Sequence, residues 1–342
     1  MPGAIARAAI TGAAALSAIA GGVSAAVAQD GLFARKNITL TVGYAPGGSY
    51  DLYARLAGRF LGRHLPGQPS VVVQNMPGAG SLQAANYLFK VAPKDGTAIG
   101  VVAETLPMEQ ALRNPGVQYD ASAYTYIGRI ASSNNIQLVW HTAKVKSFDD
   151  LLTTPMTTAG TGPANLAETV PKVLNALVGT QFKIVSGYPS SGPGMLAMER
   201  GEVDGAATSW AIVKAQRMDW IREGKAKIIL QFLPTRSSDL PNVPALGEVG
   251  KTDEAKQILN LYASGGALGR YVIAPPGVPA DAARALRDGL SAMVKDPEFL
   301  SEAKKARVDV EPAGHEELAA VARRTLDVSD SVRRKVREIF KP

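Results

Sequence analysis

Two glycine-rich turns carry the most pointed chemistry in the chain: Pro46-Gly47-Gly48-Ser49 and Pro77-Gly78-Ala79-Gly80-Ser81. Each follows a strand-like run and precedes a helix-like one. Backbone N–H groups at a helix N-terminus hold an anion through hydrogen bonds and the helix dipole, with no side-chain cation required. A phosphate-binding P-loop needs a lysine after its last glycine. The spacing from Gly43 to Gly48 fits, but Ser49 stands where the lysine belongs. The second turn begins like a dinucleotide GxGxxG and ends in Gln83. Nucleotide binding fails on both counts, and a carboxylate is the guest that remains. Two such turns in adjacent units of one sheet open at the same edge, which suits a shared site.

The second half of the chain offers partners for that site. Thr158-Ala-Gly160-Thr161-Gly162 is another small-residue turn ahead of a helix, with Asn165 just beyond it. The run Gly187 to Pro193 supplies Tyr188, Ser190 and Ser191. Tyr44, Tyr188 and Trp210 either wall an apolar ligand body or pack within the fold. Catalytic chemistry is poorly supplied. There is no cysteine, the three histidines (His64, His141, His315) lie far apart, and no GxSxG or HExxH occurs. Ser301-Glu-Ala-Lys304 matches a short SxxK pattern inside a charged helix. Asp51 is placed to charge the first turn of its helix, and Asp204 to orient donors at a cleft. No nucleophile and base pair up, so no catalytic residue, metal or cofactor is assigned. A hydrolase or transferase using Asp51 or Asp204 with Ser190 or Ser191 is the competing reading.

The elements that must position these turns follow an α/β rhythm. ITLTV (38–42), SVVVQN (70–75) and TAIGVVA (97–103) alternate with helical stretches, the first showing Leu52, Leu56 and Phe60 on one stripe and Arg55, Arg59 and Arg63 on another. A second alternation begins at IQLVW (136–140) and runs through FKIVSGY (182–188), with a helix carrying Leu166, Val170, Leu174 and Leu177; Pro171 should kink it or mark its start. Two α/β halves in tandem imply two lobes. Thirty-seven Lys+Arg against 30 Asp+Glu give a net charge of +7, but the cations are dispersed except near Arg333-Arg334-Lys335-Val-Arg337, read as a solvated helix face. Aromatics at 6% argue against a nucleic-acid surface. Residues 1–28 read as a secretory signal: an early Arg7, an Ala-rich stretch, and Ala26-Val27-Ala28 before Gln29, with cleavage expected after Ala28.

Taken in order, these motifs resemble the extracytoplasmic solute receptors of tripartite tricarboxylate transporters, the Bug receptors. PGGSYD and NMPGAGS look like the family's ligand loops, YTYIGRI like the run into its second domain, and MLAMERGEVDG, LPNVPALGE and IAPPGVPA like later landmarks. The resemblance implies a Venus-flytrap fold with a cleft between two lobes: 29–132 with 262–342, and 133–261. It implies near-lobe ligand contacts from Tyr44, Pro46, Gly47, Gly48, Ser49, Asp51, Asn75, Gly78, Ala79, Gly80 and Ser81. Far-lobe contacts would come from Thr158, Gly160, Thr161, Gly162, Asn165, Tyr188 and Asp204. The chain departs from the usual pattern at Tyr44-Ala45, at Thr161-Gly162-Pro163 and after Tyr188. The expected protein is a monomeric periplasmic receptor that binds a small organic acid and hands it to membrane permease subunits, or alternatively serves a signalling partner.

Overall fold

A computed structural model of the chain describes residues 31–341. The expected signal segment and its cleavage point lie outside them.

The first lobe is a six-stranded sheet in the order β11-β4-β10-β3-β1-β2. Its parallel part comprises β1 (Asn37–Val42), β2 (Ser70–Asn75) and β3 (Ala98–Val101). Parallel neighbours need a crossover, and α1 (Ser49–Phe60) and α2 (Leu82–Lys90) supply the two. The strands β4 (Thr125–Arg129), β10 (Tyr271–Ala274) and the short β11 (Ala313–Gly314) complete the sheet in antiparallel pairing. Burial on both faces explains why the central strands read as almost continuously apolar. One face buries Ile38, Leu40 and Val42 under α1, α9 (Ala280–Met293) and α10 (Pro297–Lys305). The other packs Ala98, Tyr271 and Ile273 against α2, α3 (Leu106–Ala111) and α11 (His315–Leu326).

The second lobe repeats the scheme with five strands in the order β7-β6-β8-β5-β9. Here β6 (Met156–Ala159), β7 (Phe182–Val185) and β8 (Gly205–Ser209) run parallel, while β5 (Asn135–Trp140) is antiparallel to β8 and to β9 (Ala226–Gln231). The crossovers are α4 (Leu166–Val178) and α5 (Ser191–Glu199). Pro171 does not start its helix: Asn165 caps it, its side chain accepting from Ala167 N, and the proline lies within. Trp210 opens α6 (Trp210–Gln216), which leads into α7 (Met218–Arg222); these pack with α5 over one face of the sheet.

The division of the chain between lobes differs from the expected one after residue 262. Tyr262 and Ala263 end α8 (Asp253–Ala263), which packs into the second lobe with Ile258 and Leu259. The chain returns to the first lobe only through 264–270. It then leaves again: α12 (Asp330–Ile339) seats Val332 and Val336 in the second lobe's core against α4 and α8. The cause is an i, i+4 apolar pair that meets an open apolar patch on those two helices. Arg333, on the run read as solvated, is held by backbone instead, its Nε donating to Ala111 O at 2.7 Å and its Nη2 to Val328 O at 3.0 Å. Arg334 and Arg337 do face solvent.

Candidate functional site

The C-terminal ends of β1 and β3 in the first lobe and of β6 and β8 in the second point at each other, which is where open α/β sheets bind ligands. Between them lies a cavity of about 40 Å³. Gly48, the N-cap of α1, lines it from the first lobe. Asn165, the N-cap of α4, and Ser190, the N-cap of α5, line it from the second. Gly48 and Ser190 supply no side-chain cap to their helices. The first N–H groups of a helix have no intrahelical acceptor, and the starts of three helices from both lobes converge on one small space, those of α1 and α5 uncapped and that of α4 capped at Ala167 N. Their dipoles add a positive potential there without any cation in the wall.

The lobes are shut on this space. Tyr44 bridges them, its hydroxyl accepting from Asn165 Nδ2 at 2.6 Å and donating to Gly80 O at 3.3 Å. Thr105 Oγ1 donates to Ala164 O at 2.8 Å, and Ala45 N to Pro189 O at 3.4 Å. The closest approach is backbone on backbone. Gly80 has φ of 69°, and a Cβ there would stand 2.8 Å from Asn165 N. Gly162, at φ of 114°, would place a Cβ 2.5 Å from Gly80 N. A side chain at either position would force the two facing backbones apart.

One carboxyl group borders the cavity. Glu104, on the segment after β3, is 3% exposed. Its Oε2 accepts from Arg270 Nη1 at 3.1 Å and its Oε1 from Asn135 Nδ2. Burial pushes the Glu104 carboxyl up, and the Arg270 guanidinium pulls it back. Arg270 is itself 1% exposed, donates through Nη2 to Ser49 Oγ at 2.7 Å, and stacks 4.1 Å from the Tyr50 ring centroid. Thr208 Oγ1 also belongs to the wall, buried and without a hydrogen-bond partner among the described residues. None of the three histidines lines the cavity, and no cluster of three metal-ligating side chains occurs among the described residues.

The family profile described as "Tripartite tricarboxylate transporter family receptor" matches residues 54–336. The chain belongs to that family. It is therefore a solute-binding receptor and not an enzyme. It is 28% identical over 255 residues to the UPF0065 protein of the gbd 5′ region of Cupriavidus necator, covering 72% of this receptor and 73% of that protein. Its fold is that of the periplasmic binding protein BugD, with a TM-score of 0.69 at 20% identity over 89% of this chain and 97% of that one. MatC of Rhodopseudomonas palustris, solved with bound malate, superposes with a TM-score of 0.68 at 19% identity over 89% and 99%. No described helix is long and apolar enough to cross a membrane.

Of the residues singled out from sequence, Tyr44, Gly48, Ser49, Thr161, Asn165, Ser190 and Ser191 line the receptor's cavity. Pro46 and Gly47 flank it, Pro46 O accepting from Ser190 Oγ at 3.5 Å. Asp51 lies behind the first turn as a brace. It pairs with Arg55 at 2.9 Å and accepts from Gly47 N at 3.2 Å and from Asn75 Nδ2 at 2.9 Å. Asn75 Nδ2 also reaches Tyr44 O at 2.8 Å, so both residues shape the turn from outside the cavity. The second turn does not open onto the cavity. Gly78, Ala79 and Gly80 lie against the 162–165 backbone or beside it, and Ser81 Oγ accepts from Ala103 N at 3.1 Å.

On the far lobe, Thr158 accepts from Gln137 Nε2 at 3.1 Å inside the sheet. Gly160 O receives Tyr188 N at 3.2 Å, and Gly162 N donates to Glu168 Oε2 at 3.2 Å. Tyr188 is half-buried beside the core under α5 and α6, and Trp210 donates to Asp239 Oδ2 at 2.9 Å; neither borders the cavity. Asp204 accepts from Thr157 N at 2.8 Å and Oγ1 at 2.7 Å. It sits at the start of β8, roughly 15 Å of strand from the end that faces the cleft. With Asp51 and Asp204 so engaged, neither carboxylate meets Ser190 or Ser191, and the hydrolytic reading loses its base. Sequence reasoning missed Glu104 and Thr208, while Tyr50 falls within the loop the resemblance pointed to. Glu104 and Thr105 follow a buried strand and precede a helix, a third strand-to-helix turn in the same sheet that the glycine search passed over.

Proposed function

We propose that this receptor captures a small organic carboxylate between its lobes in the periplasm, as a monomer, and delivers it to a membrane permease of the tripartite type. The observation that carries the reading is the convergence of the N-termini of α1, α4 and α5 on one cavity between the lobes. Such donors recognise an anionic oxygen pair and do no covalent work. Because they come from both lobes, the ligand's binding energy favours the shut form over the open one, and a permease reads that form. The family assignment supports the transport role, and MatC with its malate shows an acid held on the same fold. One chain supplies every group of the site.

Thermal unfolding against a panel of small carboxylates and their amides tests this. A ligand at about a hundred times its Kd adds roughly 2.7 kcal/mol of stability. An acid that raises the melting temperature while its amide does not is the expected result. Equal shifts from acid and amide would overturn the anion site.

A further inference from the structure

We propose that Glu104 makes the receptor selective for a small monocarboxylic acid bearing a hydrogen-bond donor beside its carboxylate, and shuts out a second carboxylate. The inference rests on the carboxylate reading above and narrows it.

Arg270 is the cation nearest the site, yet its hydrogen bonds go to Glu104, Ser49 and Ser133. It packs on Tyr50 and does not border the cavity. What borders the cavity is the carboxylate residue. A carboxylate has about four acceptor positions, and Arg270, Asn135 and Ser133 each take one, so Glu104 keeps one position for a ligand donor. A ligand carboxylate brought to the same place would meet a like charge in a dry, low-dielectric wall. The α1 end of the cavity and Glu104 are joined through one guanidinium: Arg270 holds Ser49 Oγ at 2.7 Å and Glu104 Oε2 at 3.1 Å. A ligand carboxylate at the α1 N-terminus therefore has Glu104 within reach of a substituent on its neighbouring carbon. Thr208 Oγ1, buried without a partner among the described residues, offers that substituent a second polar contact.

Calorimetry on the purified receptor with matched sets of short straight-chain acids tests the proposal. Each set contains the unsubstituted acid, its alpha-hydroxy and alpha-amino forms, the diacid of equal chain length, and the amide. The hydroxy or amino acid is expected to bind at least about tenfold tighter than the unsubstituted acid, with no binding by the diacid. A diacid that binds as well as the unsubstituted acid overturns the inference and leaves the carboxylate reading standing. An amide as good as its acid, or no binding by any set, overturns both. In Glu104→Gln the donor preference should collapse and the diacid should gain binding. Because that change strands Arg270, Glu104→Gln/Arg270→Gln is measured beside it. A folded variant of either kind that keeps the wild-type ranking overturns the assignment.

Discussion

The turns at 46–49 and 77–81 are built from nearly the same residues and face different things. Gly48 has an ordinary φ of −95° and looks across the cavity, where an added Cβ would lie 3.3 Å from Ser191 Oγ. Gly80 has φ of 69° and looks into the backbone of the opposite lobe. The first turn leaves its donors open to a small space, and the second uses the missing side chain to let two main chains touch. A glycine turn at a sheet's edge thus does one of two jobs, and its φ and its nearest neighbour tell which. The proposed function uses both: one surface to hold the solute and another to set how far the lobes close.

Substitutions should separate those jobs. Gly48→Val carries the largest expected effect. Its φ suits any residue, so the fold should stand at the cost of a poorer N-cap, about 1 kcal/mol, but the branched side chain fills the space before Ser191; binding should fall beyond detection while the ligand-free melting temperature drops by only a few degrees. Calorimetry and a melting curve on one sample decide it, and unchanged affinity would place the ligand elsewhere. A contact away from both turns sharpens the contrast. Glu109, buried on α3 with Asn114 Nδ2 at 2.7 Å, has its carboxyl pushed up to about 7 from an ordinary 4.5 by desolvation. The folded state therefore holds a proton that the unfolded chain releases earlier. Stability should decline as pH rises from about 4.5 to about 7 and level off above. The full span is worth roughly 3 kcal/mol, and Glu109→Gln should abolish the slope. Parallel melting curves for the two proteins between pH 5 and 8 would refute it. Gly80→Ala is the mildest. It costs about 1 kcal/mol for the left-handed backbone and sets a methyl 2.8 Å from Asn165 N, so closure rather than solute contact should suffer. Affinity should drop about tenfold and small-angle scattering should show a more open particle with ligand present.

How much of this was legible in the sequence depends on whether the signal is local. The α/β alternation was, because strands buried on two faces read as apolar runs such as Ile38 to Val42 and Ala98 to Val101. The arginine stripe of α1 was legible as a face and not as its partners: Arg55, Arg59 and Arg63 meet Asp51, Glu302 and Glu298. Asp204 misled because its distance from a strand's end gives no direction, and it lies at the end away from the cleft. Glu104 and Arg270 are separated by 166 positions, so no window along the chain pairs them. The docking of α12 was hidden for the same reason. Its Val332 and Val336 stripe was visible, and the helices awaiting it, α4 and α8, were not identifiable as its seat.

That last helix has a practical consequence. The described chain starts beside the first lobe, where Phe33 donates its N–H to Pro66 O at 3.2 Å, and ends with α12 fixed to the second. The last helix touches both lobes, since Arg333 Nε donates to Ala111 O on α3 while Val332 and Val336 pack against α4 and α8. It is therefore a strap across the lobe boundary, and any opening of the cleft must either break the Arg333–Ala111 bond or carry α3 with it.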